Sequence, residues 1–193
     1  MASTPSLKAT VFQVILDELS QLLCSGRISQ AELERKLDPG DLKYLGKSLA
    51  PSSWVPIAVS TRLLQLLFEL SGRSDLREYM RERGRVNAQR LKEAGLYPQF
   101  EVAAGREMTQ RAGRTAVTLS SLMLSFTRWS FETGEDVRFR IIVDDAADYP
   151  DVNRFAAEGF IEQFVWNLPQ AGKVRVDSER VAPDRVVFTA TED

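Results

Sequence analysis

The stretch from Phe126 to Phe188 constrains the fold more than any other part of the chain, because the spacing of its apolar residues changes twice. Apolar and polar residues alternate in two segments on either side of one apolar run with helical spacing. The predicted strands and helix lie at 126–131, 137–143, 151–168, 173–177 and 186–190. This β-β-α-β-β order predicts a four-stranded antiparallel sheet with the helix covering one face.

Patterns of amphipathic helices fill the chain before this unit. They lie at 7–23, 29–37, 56–71, 76–94 and 106–125. Ser29 and Glu32 have the spacing of a capping box, and Gly72 is a helix stop. Glycine and proline mark turns at 95–98 and 169–172. The predicted fold class is therefore α+β, with an N-terminal helical layer, about 7–125, packed on a sheet from about 126–191, in one domain spanning 1–193.

The composition excludes several classes of function. Twenty-five Lys and Arg against 27 Asp and Glu give no overall attraction to nucleic acid. Residues 73–114 nevertheless carry a net +4 and residues 115–193 a net −6, which suits either two solvated surfaces or a charge-steered contact. Cys24 is the single cysteine, and the N-terminus matches neither a signal peptide nor a membrane span. These features favour a location in the cytoplasm. The sequence also contains no histidine, the commonest general base and metal ligand.

Four features of the chain together resemble a large paralogous family of myxobacterial proteins. They are the order of the helices, the Ser53-Trp54-Val55-Pro56 segment before an apolar helix, the hairpin from Trp129 past Gly134, and the closing helix and hairpin. That family is similar to the fold shared by haem nitric-oxide sensors, the 4-vinyl-reductase domain and small subunits of the TRAPP vesicle-tethering complex. The resemblance implies a ligand-binding fold whose members often act as dimers. The chain departs from it by lacking a histidine for haem and cysteines near its C-terminal hairpin, so we expect no haem, zinc or other cofactor.

Aromatic side chains are the strongest lead to a site. The tryptophans lie in segments expected to meet between the helices and the sheet, where they either pack in the core or line an apolar pocket. The predicted lining of that pocket is Trp54, Leu67, Trp129 and Phe160.

Other candidate sites are better explained by structure than by chemistry. The acidic run Asp144, Asp145, Asp148 and Asp151 lacks the spacing and central glycine of a calcium loop, which favours a solvated loop over a cation site. Cys24 lies at the end of an apolar stripe, which predicts a packing residue. The arginines between Arg73 and Arg90 have acidic neighbours three or four positions away, which predicts pairs within the helix rather than a phosphate or nucleic-acid site.

The sequence therefore predicts a non-catalytic sensor, adaptor or scaffold module in signalling, with no catalytic or metal-binding residues. We expect it to bind a protein partner, a second copy of itself or a small apolar ligand, with no nucleic-acid partner and no membrane span. Two helices, 7–23 and 76–94, are candidates for self-association, because they exceed what one sheet face needs. The alternative is an enzyme with a carboxylate or tyrosine base acting on a small apolar substrate, whose signature is a strongly perturbed acid in a cleft.

Overall fold

The computed structural model describes residues 4–93, 106–134, 137–168 and 172–192, with only the backbone for residues 106–112. The predicted turn at 95–98 and most of the one at 169–172 lie outside these residues. The chain forms two compact units, Met1–Ser74 with Met123–Ser125 and Asp75–Leu122 with Phe126–Asp193. We describe each unit by itself, and the single domain remains a prediction.

The first unit consists of four helices and a small two-stranded sheet. Its elements are β1 (Ser6–Lys8), α1 (Ala9–Cys24), α2 (Gln30–Lys36), α3 (Pro39–Leu42), β2 (Trp54–Pro56) and α4 (Ile57–Ser71). The capping box predicted at Ser29 and Glu32 begins α2, and Gly72 ends α4 in the left-handed conformation. Most of the apolar residues of α4 are buried.

Two features of the first unit differ from the prediction. The helix predicted from residue 7 begins at Ala9, because Ser6–Lys8 pairs antiparallel with Trp54–Pro56. The segment Asp38-Pro39-Gly40-Asp41 has the composition of a turn, but Pro39–Leu42 forms the short helix α3, whose Asp41 is fully buried. Arg62 of α4 donates to both carboxylate oxygens of Asp41 at 2.6 Å, which compensates for the burial of the charge.

The second unit contains the predicted sheet. Its elements are α5 (Leu76–Glu93), α6 (Arg106–Met123), β3 (Arg128–Glu132), β4 (Phe139–Asp144), α7 (Asp151–Trp166), β5 (Val174–Ala182) and β6 (Arg185–Glu192). The four strands are antiparallel in the order β3-β4-β6-β5, which confirms the two predicted hairpins. The carboxylate Oδ1 of Asp75 accepts the backbone N–H of Glu78 at 2.9 Å and so caps α5.

One face of this sheet forms the core of the second unit. Its central strands contribute Phe139, Ile141, Val143, Val186, Phe188 and Ala190, all fully buried. Ile161, Phe164 and Val165 of α7 are buried as well, and α6 lies close to the ring of Phe131, because a methyl group added at Gly113 would lie 1.8 Å from it. The β-β-α-β-β unit thus has its predicted helix, and α6 approaches the same face at its edge strand.

Candidate functional site

The four residues of the predicted pocket fall in different units of the structure. Trp54 and Leu67 belong to the first unit, and Trp129 and Phe160 to the second. Leu67 is buried in α4, whereas Trp54 is 45% exposed, with the ammonium group of Lys8 3.8 Å from the centre of its ring. Trp54 is therefore not a core residue, and a pocket shared by the four residues remains a prediction.

Trp129 belongs to an aromatic cluster on the inner face of the sheet. Its ring stacks on Phe188 at 5.8 Å between centroids and meets Tyr149 edge-on at 5.9 Å. Its indole N–H donates to the hydroxyl of Thr127 at 2.9 Å. Phe160 stacks on Phe164, 6.3 Å away. Trp129 and Phe160 are therefore both half-buried and in contact with other rings. This arrangement is compatible with packing and with lining a pocket.

Four side chains of α7 bind the outer edge of β5. Glu162 accepts the backbone N–H of Val176 at 3.0 Å, and Glu158 accepts that of Ser178 at 2.9 Å. Arg154 donates to the carbonyl oxygen of Ser178 at 2.8 Å, and Trp166 donates to that of Val174 at 2.9 Å. The four residues are spaced by four along the helix, so they lie on one face of it. Side chains therefore occupy the hydrogen-bonding groups that an edge strand otherwise leaves free.

Three arginines of α5 neutralise the two buried glutamates. Arg77 donates to both oxygens of Glu158 at 2.9 and 2.8 Å, and Arg85 donates to Glu162 at 3.0 Å. Arg81, only 1% exposed, lies between them and donates to both glutamates.

The prediction that pairs within the helix account for these arginines was therefore wrong in part. Arg85 also bonds Glu78 of its own helix at 2.9 Å, but the carboxylates that hold Arg77 and Arg81 come chiefly from α7 and from Asp177 of β5. Arginines of α5 and glutamates of α7 each recur every four residues, and this shared spacing is the signal in the sequence that could have indicated the pairing.

Two glycines bring α5 and α7 into backbone contact. A methyl group added at Gly84 would lie 1.9 Å from the carbonyl oxygen of Ala156, and one added at Gly159 would lie 1.9 Å from that of Arg81. Because neither glycine has a side chain, the two helix backbones can approach closely at these positions. The close approach places the arginine and glutamate side chains within direct hydrogen-bonding reach.

The arrangement of Glu158 and Glu162 is that of a structural ion network. Every carboxylate oxygen accepts at least one hydrogen bond from an arginine or a backbone N–H. A general base needs a lone pair directed at a substrate proton, and these oxygens already have protein donors. The network therefore offers no obvious site for acid–base chemistry.

The pKa of the buried Tyr149 hydroxyl is strongly perturbed. Burial raises its pKa above the ordinary range, the carboxylate of Glu158 adds to this effect, and Arg154 and Arg180 oppose it. Its hydroxyl lies 3.3 Å from the carbonyl oxygen of Asn153, to which it donates. A tyrosine base requires a lowered pKa, so this direction does not favour catalysis by Tyr149.

The acidic run between β4 and α7 is paired with arginines, in keeping with a structural loop. Arg128 binds Asp145 at 2.6 Å, Arg185 binds Asp144 at 3.1 Å, and Arg154 binds Asp151 at 2.9 Å. Among the residues that the structure describes, no three His, Cys, Asp or Glu side chains are grouped to hold a metal ion. Cys24 is exposed, which corrects the prediction that it packs in the core. No helix in the described ranges is long and apolar enough to cross a membrane.

No protein-family model and no curated protein matches the chain, but solved structures do. A mutant H-NOX protein from T. tengcongensis has a TM-score of 0.60 at 14% identity, covering 96% of this chain and 97% of its own. An Fe(II) unliganded H-NOX mutant from K. algicida has a TM-score of 0.58 at 13% identity, with 97% of each chain covered. An oxygen-binding H-NOX domain related to soluble guanylate cyclases has a TM-score of 0.56 at 15% identity, covering 95% of this chain and 93% of its own. The fold of this chain is therefore H-NOX-like, in agreement with the haem-sensor part of the predicted resemblance.

Proposed function

We propose that this chain is a sensor or adaptor module that uses an H-NOX-like fold to bind a protein partner or a small apolar ligand, without histidine-ligated haem and without catalysis. The proposal rests on two observations taken together. The chain matches H-NOX structures over almost its entire length, yet contains no histidine. The fold is kept while the usual protein ligand of sensor haem is missing.

The residues of this chain do not fit a haem site of the usual kind. Without histidine, the iron lacks its usual protein ligand, and neither Cys24 nor Tyr149 suits it as a replacement. The one cysteine is exposed at the end of α1, and the buried Tyr149 has a raised pKa, which opposes the phenolate that iron binds. We therefore assign no function that passes through haem.

Two observations make a binding module a better proposal than an enzyme. The buried carboxylates Glu158 and Glu162 are occupied by arginines and backbone N–H groups, and the perturbation of Tyr149 has the wrong direction for a base. The aromatic residues Trp129 and Phe160, in contrast, are half-buried and suited to apolar contacts. The proposed ligand pocket is the predicted one, lined by Trp54, Leu67, Trp129 and Phe160, in a cytoplasmic protein.

Titration with haem and with a neutral apolar probe tests this proposal. We expect no Soret band to survive gel filtration after addition of hemin, and saturable binding of N-phenyl-1-naphthylamine measured by its fluorescence. Phe160→Ala should abolish probe binding and lower the unfolding midpoint no more than Phe155→Ala does, because a residue lining a pocket contributes more to binding than to packing.

Phe155→Ala is the matched control, since Phe155 is a half-buried ring on the same helix and is not part of the predicted lining. Retained stoichiometric haem would overturn the haem-free part of the proposal. Equal loss of probe binding in both variants, or no saturable binding, would overturn the pocket.

A further inference from the structure

The two edges of the four-stranded sheet differ in whether their free backbone groups have hydrogen-bond partners. β5 forms one edge, and Arg154, Glu158, Glu162 and Trp166 bind its backbone groups. β3 forms the other edge. Within the described part of the chain, the backbone of β3 hydrogen-bonds only to β4. An edge left open in this way is a template for another strand.

The side chains of β3 show the exposure expected of an open edge. Arg128, Ser130 and Glu132 are exposed on the outer face, and Trp129 and Phe131 are half-exposed on the inner face. Their partners on β4, Val143 and Ile141, are fully buried. On the inner face of this hairpin, the partly exposed apolar side chains therefore belong to the edge strand β3, and those of β4 are buried.

The five residues of β3 are complementary to a reversed copy of themselves. In an antiparallel pair centred on Ser130, Arg128 of each copy, which also binds Asp145 of its own copy, stands opposite Glu132 of the other. The same register places Trp129 opposite Phe131 twice. Opposite charges and aromatic pairs that face each other directly stabilise adjacent strands, whereas like charges destabilise them. Shifting the register by two residues in either direction removes both charge pairs.

We propose that β3 pairs with β3 of a second copy of this chain, so that the two sheets join across a two-fold axis. The axis passes midway between the two Ser130 residues and is perpendicular to the sheet, which keeps both apolar faces on the same side and gives one continuous eight-stranded sheet. A strand pair of this length buries less surface than a standard dimer interface, so association should be concentration-dependent. This surface differs from the helices at 7–23 and 76–94 that the sequence suggested, and it does not depend on the proposed ligand pocket.

Exchanging the charges at the two ends of β3 tests the pairing by sedimentation equilibrium from micromolar to near-millimolar protein. Glu132→Arg places two arginines opposite each other at both ends, and Arg128→Glu does the same with glutamates. Each variant should dimerise about tenfold or more weakly than the wild type, because two attractive pairs become repulsive. An equimolar mixture of the two variants should recover dimers, since each copy then meets the opposite charge.

Glu179→Arg is the matched control, because Glu179 is an exposed glutamate on β5, the edge covered by α7. It should leave the association constant unchanged. A wild type that stays monomeric at every concentration overturns the proposal. So does a dimer that Glu132→Arg leaves intact, which would favour a helical interface, or a mixture that fails to associate.

Cross-linking provides a readout that does not depend on the strength of association. Opposed Cα atoms of an antiparallel pair lie about 4.5–5.5 Å apart, within the range of a disulfide. In a Cys24→Ser background, Ser130→Cys should form a covalent dimer with oxidised glutathione, and Glu179→Cys should not. Equal cross-linking of the two variants would indicate random collision and contradict the β3 pairing.

Discussion

Glu162 of α7 accepts the backbone N–H of Val176 at the edge of β5, with 3.0 Å between nitrogen and oxygen. The same carboxylate binds Arg81 and Arg85 of α5. One buried side chain therefore connects two helices and a strand. Its charge is stable in the interior because cations and a backbone donor surround it. The stability of the second unit should depend on this connection more than on any exposed ion pair.

Glu162→Ala should destabilise the protein by about 3–5 kcal/mol, because Arg81 stays buried and loses a partner. Arg175→Ala removes an exposed pair with Asp177 and should cost no more than about 1 kcal/mol. Urea denaturation followed by circular dichroism measures both. Similar midpoints for the two variants would show that the buried network contributes little.

The contact between α5 and α7 should not tolerate a methyl group. Gly159→Ala places a Cβ against the backbone of Arg81, which cannot move away as a flexible side chain does. We expect a loss of about 1–3 kcal/mol or more in the free energy of unfolding. Gly40→Ala, where no atom lies within 4 Å of the added methyl, should be neutral or slightly stabilising. A neutral Gly159→Ala would mean that the helices are further apart than described.

Tyr149 should make the protein less stable at high pH. Its pKa in the folded state is raised above the ordinary 10.0, so the unfolded chain releases this proton first as the pH rises. The contribution of Tyr149 to the free energy of unfolding is constant below about pH 10. It is lost as the pH rises further, because the unfolded state then binds fewer protons than the folded state. Tyr149→Phe should therefore lose less stability than the wild type between about pH 10 and pH 12. Parallel urea midpoints for the two proteins across this range would contradict the assignment.

Two tryptophans should differ in their effect on stability. Trp129 stacks on Phe188 and meets Tyr149 edge-on, and it is half-buried, so Trp129→Ala should cost about 3 kcal/mol, the low end of the range for a core ring. Trp54 is 45% exposed and contacts Lys8, so Trp54→Ala should cost about 1 kcal/mol or less. Thermal melts of the two variants test the contrast. A large loss for Trp54 would place its ring in a packed environment.

The sequence by itself determined the elements whose signals are local. Alternation around Trp129 and Val143 predicted the strands, and helical spacing predicted α7. The hydroxyl of Ser29 and the conformation of Gly72 set helix ends, because capping involves residues a few positions apart. The absence of histidine could also be seen directly, and it limits the chemistry of any site in the folded protein.

Only the tertiary structure decided which polar residues are buried and which strand edge is open. Glu162 bonds Arg81 across 81 positions, so its burial depends on how α7 packs on α5. The short β1 strand required Trp54–Pro56 as a distant partner, which overrode the helical pattern that included Leu7. Asp41 can be buried only because Arg62 of another helix compensates its charge. Local spacing carries no information about such contacts, because their free energy comes from groups that meet only when the chain has folded.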